Sequence, residues 1–202
     1  MATEFIQPLN NIAPAEQGDS RGQDSDNPAK MDYLEGRKLH RNGEYAQAAI
    51  AFHNALRGFE EQGDQAGIAN ASDRLGDACL ARDEYAMAIA NYRRAYAICE
   101  KEDDSYSGLA LNKKMAVAYR KLGDQEKALE LLYDMLEHYR LTSNPKGAVE
   151  TLAVIAETYI EQGEKAKAAD AFRSVASIHE RFKHSRMAEE FNQRAASLEQ
   201  EG

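Results

Sequence analysis

Residues 75–95 read LGDACLARDEYAMAIANYRRA, and this stretch decides the fold. Two small residues, Gly76 and Ala88, stand twelve positions apart, and the large Tyr92 follows Ala88 by four. The polar residues 82–84 interrupt the apolar spacing between them. Since apolar residues three or four positions apart share one face of an α-helix, the stretch predicts two helices joined by a short turn. The small residues then allow the two helix backbones to approach closely.

The same pattern recurs every 40 residues from residue 29 onward. A first column of small residues comprises Gly36, Gly76, Ala116 and Ala156. A second comprises Ala48, Ala88, Ala128 and Ala168, and large side chains follow it at Phe52, Tyr92, Leu132 and Phe172. A fixed period of this length is typical of a repeat protein whose unit is one helical hairpin.

The turns inside the hairpins repeat as well. Gly43, Gly123 and Gly163 stand where a helix end requires left-handed backbone, and an acidic residue follows each glycine. Asp83 replaces glycine in the second hairpin, and we expect it to adopt the same conformation at a cost of about 1 kcal/mol. Longer connections between hairpins are expected at residues 62–65, 103–105, 143–145 and 183–185.

The chain therefore divides into a tail, a repeat array and a cap. Residues 1–28 carry five acids and one base and are expected to be disordered, because their polar part lacks a periodic apolar face. The apolar residues Phe5, Ile6, Leu9 and Ile12 leave open whether this tail is passive or docks elsewhere. Four hairpins are expected at about residues 29–64, 65–104, 105–144 and 145–184, followed by a capping helix within 185–202.

These columns resemble the tetratricopeptide repeat, in a long 40-residue variety. The usual early Trp is replaced by Asp32, Ser72, Asn112 and Leu152, and the late Pro is absent from every unit. The resemblance implies an all-α, right-handed superhelical solenoid of four hairpins with a C-terminal capping helix. Because the usual period is about 34 residues, we expect the second helix of each hairpin to be longer by about one and a half turns.

The resemblance also implies a concave groove lined by the first helix of each hairpin. The corresponding positions are Lys30, Tyr33, Arg37, His40, Arg41, Asn70, Asp73, Asp77, Lys113, Arg120, Lys121, Glu150, Glu157 and Glu161. Their formal charges are +3, −2, +3 and −3 in successive repeats. Two interpretations stay open: either a partner of alternating charge binds these bands, or neighbouring bands pair with one another as solvated helix surfaces. Tyr33, Arg37 and Arg120 are the expected main contacts.

The class of function that the resemblance implies is binding of another protein. The first hypothesis is an adaptor or scaffold that holds a peptide or a protein surface; the alternatives are a secretion or assembly chaperone and a peptide-responsive sensor. Co-chaperone members of the family grip a carboxylate with Lys and Asn. Those positions are occupied by Tyr33 and Arg37 in the first repeat, Asp73 and Asp77 in the second, and Lys113 and Val117 in the third. The pair is incomplete in each, so no binding of heat-shock-protein tails is expected.

Other classes of function are disfavoured by composition and motifs. The net charge of −9 opposes nucleic-acid binding, and the lack of a long apolar run favours a cytoplasmic protein without membrane insertion. Cys79 and Cys99 are expected to be small buried residues. No catalytic, cofactor or metal motif is expected, and His179 and His184 are five apart, a poor spacing for two ligands on one helix. Self-association stays open.

Overall fold

A computed structural model describes residues 27–200, and within this range the chain is all α-helix and turn. The helices are α1 (Pro28–Arg41), α2 (Tyr45–Gln62), α3 (Gln65–Ala81), α4 (Tyr85–Lys101), α5 (Ser105–Leu122), α6 (Gln125–Leu141), α7 (Pro145–Glu161), α8 (Lys165–Arg181) and α9 (Ser185–Gln200). The all-α class and the succession of helical hairpins are thereby confirmed. The tail expected to be disordered lies outside the described residues, except for its last two.

Those last two residues begin the first helix. Asn27 is its N-cap, and the Asn27 side chain accepts a hydrogen bond from the backbone N–H of Ala29 at 3.0 Å. Pro28 is the first helical residue, a position where a missing N–H has no cost. The first helix therefore starts slightly earlier in the chain than expected.

The turns within and between hairpins are alike. Gly43, Gly123 and Gly163 have positive φ, and Asp83 adopts the same left-handed backbone with φ of 60°, as expected. The turns between hairpins use the same geometry at Gly63, Asp103, Ser143 and Lys183. The expectation of longer connections between hairpins is wrong, because one left-handed residue reverses the chain in both kinds of turn.

The extra length of the repeat is shared by both helices in the hairpins after the first, whereas in the first α1 has 14 residues and α2 has 18. In the second hairpin α3 and α4 each have 17 residues, and in the fourth α7 and α8 each have 17. The expectation of a longer second helix alone is therefore wrong. Lengthening both helices together extends the apolar stripe on each, so neither helix projects beyond its partner without contacts.

The chain divides into two compact units, residues 1–118 and 119–202. In the described part of the first, α1 packs on α2, α2 on α3 and α3 on α4. A Cβ added to Gly76 would lie 2.5 Å from the Tyr92 ring, and one added to Gly36 would lie 2.7 Å from Phe52. Each glycine is therefore required by the aromatic ring that it faces.

In the second unit, α7 packs between α6 and α8, and α9 packs on α8. Ala156 and Ala168, the small residues of this unit's last hairpin, are both 0% exposed, and Phe172 is 1% exposed. Helix α9 contributes Phe191, whose ring centroid lies 5.9 Å from that of Phe172. This aromatic contact attaches the last helix to the hairpin that precedes it.

The two cysteines belong to the core of the first unit. Cys79 is 1% exposed and Cys99 is 4% exposed, and neither forms a disulfide. Burial raises the pKa of each thiol to about 11. Both side chains therefore remain neutral thiols at physiological pH and act as small apolar residues, as expected.

Candidate functional site

Helix α1 presents a basic and aromatic surface. The Tyr33 ring is half-buried and packs against Phe52 and Phe59, with ring centroids 5.8 Å and 6.4 Å away. The guanidinium carbon of Arg37 lies 6.0 Å from the Tyr33 centroid, a cation–π contact. His40 packs edge-on against Tyr45 at 5.1 Å. The phenol thus supplies a fixed base on which the arginine rests.

Arg37 and Arg41 remain available to a ligand. Both are exposed, and neither forms an ion pair with any residue between 27 and 200. Lys30 is half-buried on the same helix. Because an exposed guanidinium keeps its charge and all its donors, this end of the first unit can accept a carboxylate.

The acidic residues of α3 form ion pairs with basic residues of the same unit. The Lys114 Nζ lies 2.6 Å from Asp73 Oδ1 and 2.9 Å from Asp77 Oδ1. Arg74 donates to Asp77 Oδ2 at 3.1 Å, and the Tyr92 hydroxyl donates to Asp77 Oδ1 at 3.0 Å. Two acids and two bases therefore form one neutral network, which we call the α3–α5 charge network (Asp73, Arg74, Asp77, Lys114).

The charge network is largely buried, so its geometry has electrostatic consequences. Asp73 is only 5% exposed, and the expectation that it lies on an exposed binding face is wrong. Burial and the nearby Asp77 raise the pKa of Asp73, while Lys114 opposes that rise. Burial also raises the pKa of Tyr92, with Asp77 adding to the effect. Removing either cation would leave a carboxylate charge without compensation in the interior.

Sequence reasoning missed Arg74 and Lys114. These two residues occupy the same repeat position, 40 apart, one place after Asp73 and Lys113. The signal was available, because a basic column beside an acidic residue of the neighbouring repeat favours pairing between stacked helices. The family's motif positions instead predicted Lys113 as the groove residue, and its side chain is exposed.

In the second unit, Arg120 is also paired. Its Nε and terminal nitrogen donate to the two carboxylate oxygens of Glu161 at 3.3 Å and 2.7 Å, and Glu157 lies 3.9 Å away. The Arg120 side chain is 18% exposed. Of the two interpretations of the charged groove positions, the one in which neighbouring helices pair their opposite charges therefore describes Arg120 as well as Asp73 and Asp77. Of the other expected site residues, Asn70 is half-buried, and Lys121 and Glu150 are exposed.

His179 and His184 lie together, contrary to what a single helix would give. Helix α8 ends at Arg181, and the turn that follows brings the two Nδ1 atoms to 3.4 Å. The His179 ring stacks on Phe191 at 5.8 Å. Among residues 27–200, no group of three or more His, Cys, Asp and Glu side chains is arranged to hold a metal ion. In the same range, no helix combines the length and apolar character needed to span a bilayer.

Stacked hairpins in which small residues face aromatic rings define a helical-repeat protein. A family model described as the tetratricopeptide repeat matches residues 31–101 and 106–181. The chain belongs to the tetratricopeptide repeat family.

Solved structures agree with this fold. The apo form of RapI superposes with a TM-score of 0.73 at 18% identity, over 86% of this chain and 49% of RapI. A putative kinesin light chain with TPR-like repeats from Podospora anserina gives 0.64 at 16% identity, over 86% of this chain and 97% of its own. The Rap conjugation gene regulator of plasmid pLS20, solved with the Phr* peptide, gives 0.59 at 12% identity, over 96% and 60%.

The chain thus spans about half the length of RapI. No curated protein matches its sequence significantly.

Proposed function

We propose that the chain is a non-enzymatic protein-interaction module, an adaptor or scaffold, that binds an acidic peptide or an acidic protein surface through helix α1. The observation that carries this proposal is the exposed Arg37 on the half-buried Tyr33 ring, with Arg41 one turn further on. Arginine and tyrosine are the side chains that most often dominate binding energy at protein interfaces.

The charge network sharpens the chemistry of the partner. Because Asp73 and Asp77 are matched by Arg74 of the same helix and by Lys114 of α5, these four residues together present no net charge. Arg37 and Arg41 of α1 are therefore the groove cations of the first unit on which this proposal rests. A segment that combines a carboxylate with an apolar or aromatic side chain fits this surface better than one of strictly alternating charge.

The pLS20 regulator was solved with a peptide bound, which makes a short peptide a sensible first probe. Selection from a displayed library of 12-residue peptides should enrich acidic sequences. The Kd of an enriched synthetic peptide would then be measured by fluorescence anisotropy. Arg37→Glu should weaken that binding about 100-fold, since reversing the charge both removes an attraction and adds a repulsion.

Arg57 provides the matched control, because it is an exposed arginine on α2 of the same unit. Arg57→Glu makes the same change in net charge and should alter the Kd less than threefold. Equal losses for the two variants would show a response to overall charge alone and would overturn the α1 surface. Enrichment of basic or neutral peptides would overturn the proposal that the partner is acidic.

A further inference from the structure

Helix α1 carries a second exposed surface, distinct from the Tyr33–Arg37 face. Met31, Leu34 and Lys38 follow a three–four spacing, so their side chains share one face of the helix. Met31 is 58% exposed and Leu34 is 59% exposed. We call these three residues the α1 stripe; it consists of two large apolar side chains continued by one cation, Lys38, whose Nζ lies 3.5 Å from Glu35 Oε2.

The repeat shows what this face normally does. Forty residues later, the positions of Met31 and Lys38 are occupied by Ala71 and Ala78, which are both 0% exposed in α3. Helix α2 packs against α3. The stripe is therefore the face through which a hairpin receives the element before it. Within residues 27–200 no helix precedes α1.

We propose that the chain's own N-terminal segment, residues 4–16, covers the α1 stripe. This goes beyond the proposed function, because it assigns a different face of α1 to an intramolecular ligand. The segment reads EFIQPLNNIAPAE, so its apolar residues Phe5, Ile6, Leu9 and Ile12 lie between Glu4 and Glu16. The apolar residues of the segment match Met31 and Leu34, and its acids are opposite in charge to Lys38, whose ion-pair partner among the described residues is the exposed Glu35.

The attachment point makes the contact sterically accessible. The segment joins α1 through Asn27, whose side chain exchanges hydrogen bonds with that of Gln62 at 2.9 Å and 3.1 Å. The residues between position 12 and Asn27 can span about 46 Å when extended. Helix α1 has 14 residues and is therefore about 21 Å long, so the segment reaches the whole stripe.

Tethering also favours binding, since covalent attachment through a short connection gives the segment an effective concentration on the order of millimolar. Even a weak apolar and ionic contact is then substantially occupied within one molecule. The four acids between positions 16 and 26 extend the complementarity toward the exposed cations of α1.

The test measures how fast a thiol in the stripe reacts with a maleimide in the full chain. Leu34→Cys would be compared with the same change combined with Phe5→Ser, Ile6→Ser, Leu9→Ser and Ile12→Ser. We expect the altered segment to accelerate labelling at least tenfold. Cys79 and Cys99 contribute little background, because both are buried and their pKa values are raised to about 11.

Met87→Cys is the matched control, because Met87 is 56% exposed on α4. Its labelling rate should be the same with either segment. Equal rates for Leu34→Cys with the two segments would overturn the proposal. A rate for Leu34→Cys that falls as protein concentration rises would also overturn it, since the stripe would then be covered by a second copy.

Discussion

The glycines that face aromatic rings set the closest approach of the helices. At Gly76 an added Cβ would lie 2.5 Å from the Tyr92 ring, whereas at Gly108 it would lie 3.4 Å from Tyr96, an ordinary contact. Substitutions at these two positions therefore distinguish a steric requirement for glycine from the general cost of glycine in a helix. The first position has a reason to be glycine that the second lacks.

Gly76→Ala should lower the free energy of unfolding by about 1–3 kcal/mol, because the added Cβ forces the Tyr92 ring to move. The cost of that overpacking exceeds the gain in helix propensity. Gly108→Ala should raise it by up to about 1 kcal/mol, since the Cβ fits and alanine favours the helix. Urea denaturation measures both. A stabilised Gly76→Ala variant would show that the ring moves aside without cost.

The charge network makes a prediction about pH. Lys114→Met should destabilise the fold by about 2–4 kcal/mol at pH 7, because it leaves Asp73 buried without its nearest cation. The pKa of Asp73, already raised by burial, should rise further. A carboxyl whose pKa is higher in the folded than in the unfolded state binds more protons when folded, so the variant regains stability as the pH falls toward 4.

Denaturation of Lys114→Met and of the unaltered chain at pH 7 and pH 4.5 checks this sign. Lys167→Met is the control, because Lys167 pairs with Glu164 at 3.4 Å on an exposed surface. It should change stability by about 0–1 kcal/mol at either pH. A Lys114→Met penalty that is unchanged or larger at pH 4.5 would contradict the role assigned to Asp73.

At the scale of elements, the turns decide where each helix ends. Ser143 has φ of 53° in the turn between α6 and α7, whereas its neighbour Thr142 has φ of −86°. A residue other than glycine pays for left-handed backbone, and glycine does not. The adjacent pair therefore tests the turn geometry with little change in surroundings.

Ser143→Gly should stabilise the chain by about 0.5–1 kcal/mol, because it removes the steric cost of positive φ. Thr142→Gly should destabilise it by about 1–2 kcal/mol, since glycine there increases the entropy of the unfolded chain and removes the hydrogen bond that the Thr142 hydroxyl donates to the His138 carbonyl at 2.8 Å. Thermal unfolding distinguishes the two. The turn assignment fails if both substitutions shift the midpoint in the same direction.

Much of the arrangement of helices and turns was predictable from the sequence. The 40-residue period and the columns of small and large residues indicated each hairpin, and the φ of 60° at Asp83 was foreseen from its place in the glycine column. The division of extra length between the two helices was not. Helix length depends on how far two apolar stripes remain in contact, and that depends on packing between helices.

At the scale of the whole molecule, a repeat array is held together by contacts between neighbouring elements. In such a chain, a substitution that weakens one helix–helix interface destabilises the adjacent helices more than distant repeats. Helix α9 contacts α8 through Phe191, which packs on Phe172 and stacks on His179. This aromatic contact is therefore the place to test how local the response is.

Phe191→Ala should destabilise the α8–α9 contact by about 3–4 kcal/mol, since it removes a large buried ring. Hydrogen exchange followed by mass spectrometry should show faster exchange in α8 and α9. Peptides from α2 and α3 should exchange as in the unaltered chain. Uniformly faster exchange across the described helices would instead show that the chain unfolds as one cooperative unit.

The sequence by itself determined the hairpins and the tetratricopeptide repeat family, because helix faces and turns are written in short-range spacing. The tertiary structure decided which expected site residues are open to a partner. Asp73, Asp77 and Arg120 fit the family's groove positions, yet each forms an ion pair with an opposite charge on another helix. Lys114 pairs with both aspartates and Glu161 pairs with Arg120, at separations of 37 to 41 residues along the chain. Arg37 has no such neighbour among the described residues and stays exposed. The physical reason is that spacing along the chain fixes the face a side chain occupies, whereas the stacking of helices fixes which charges meet there.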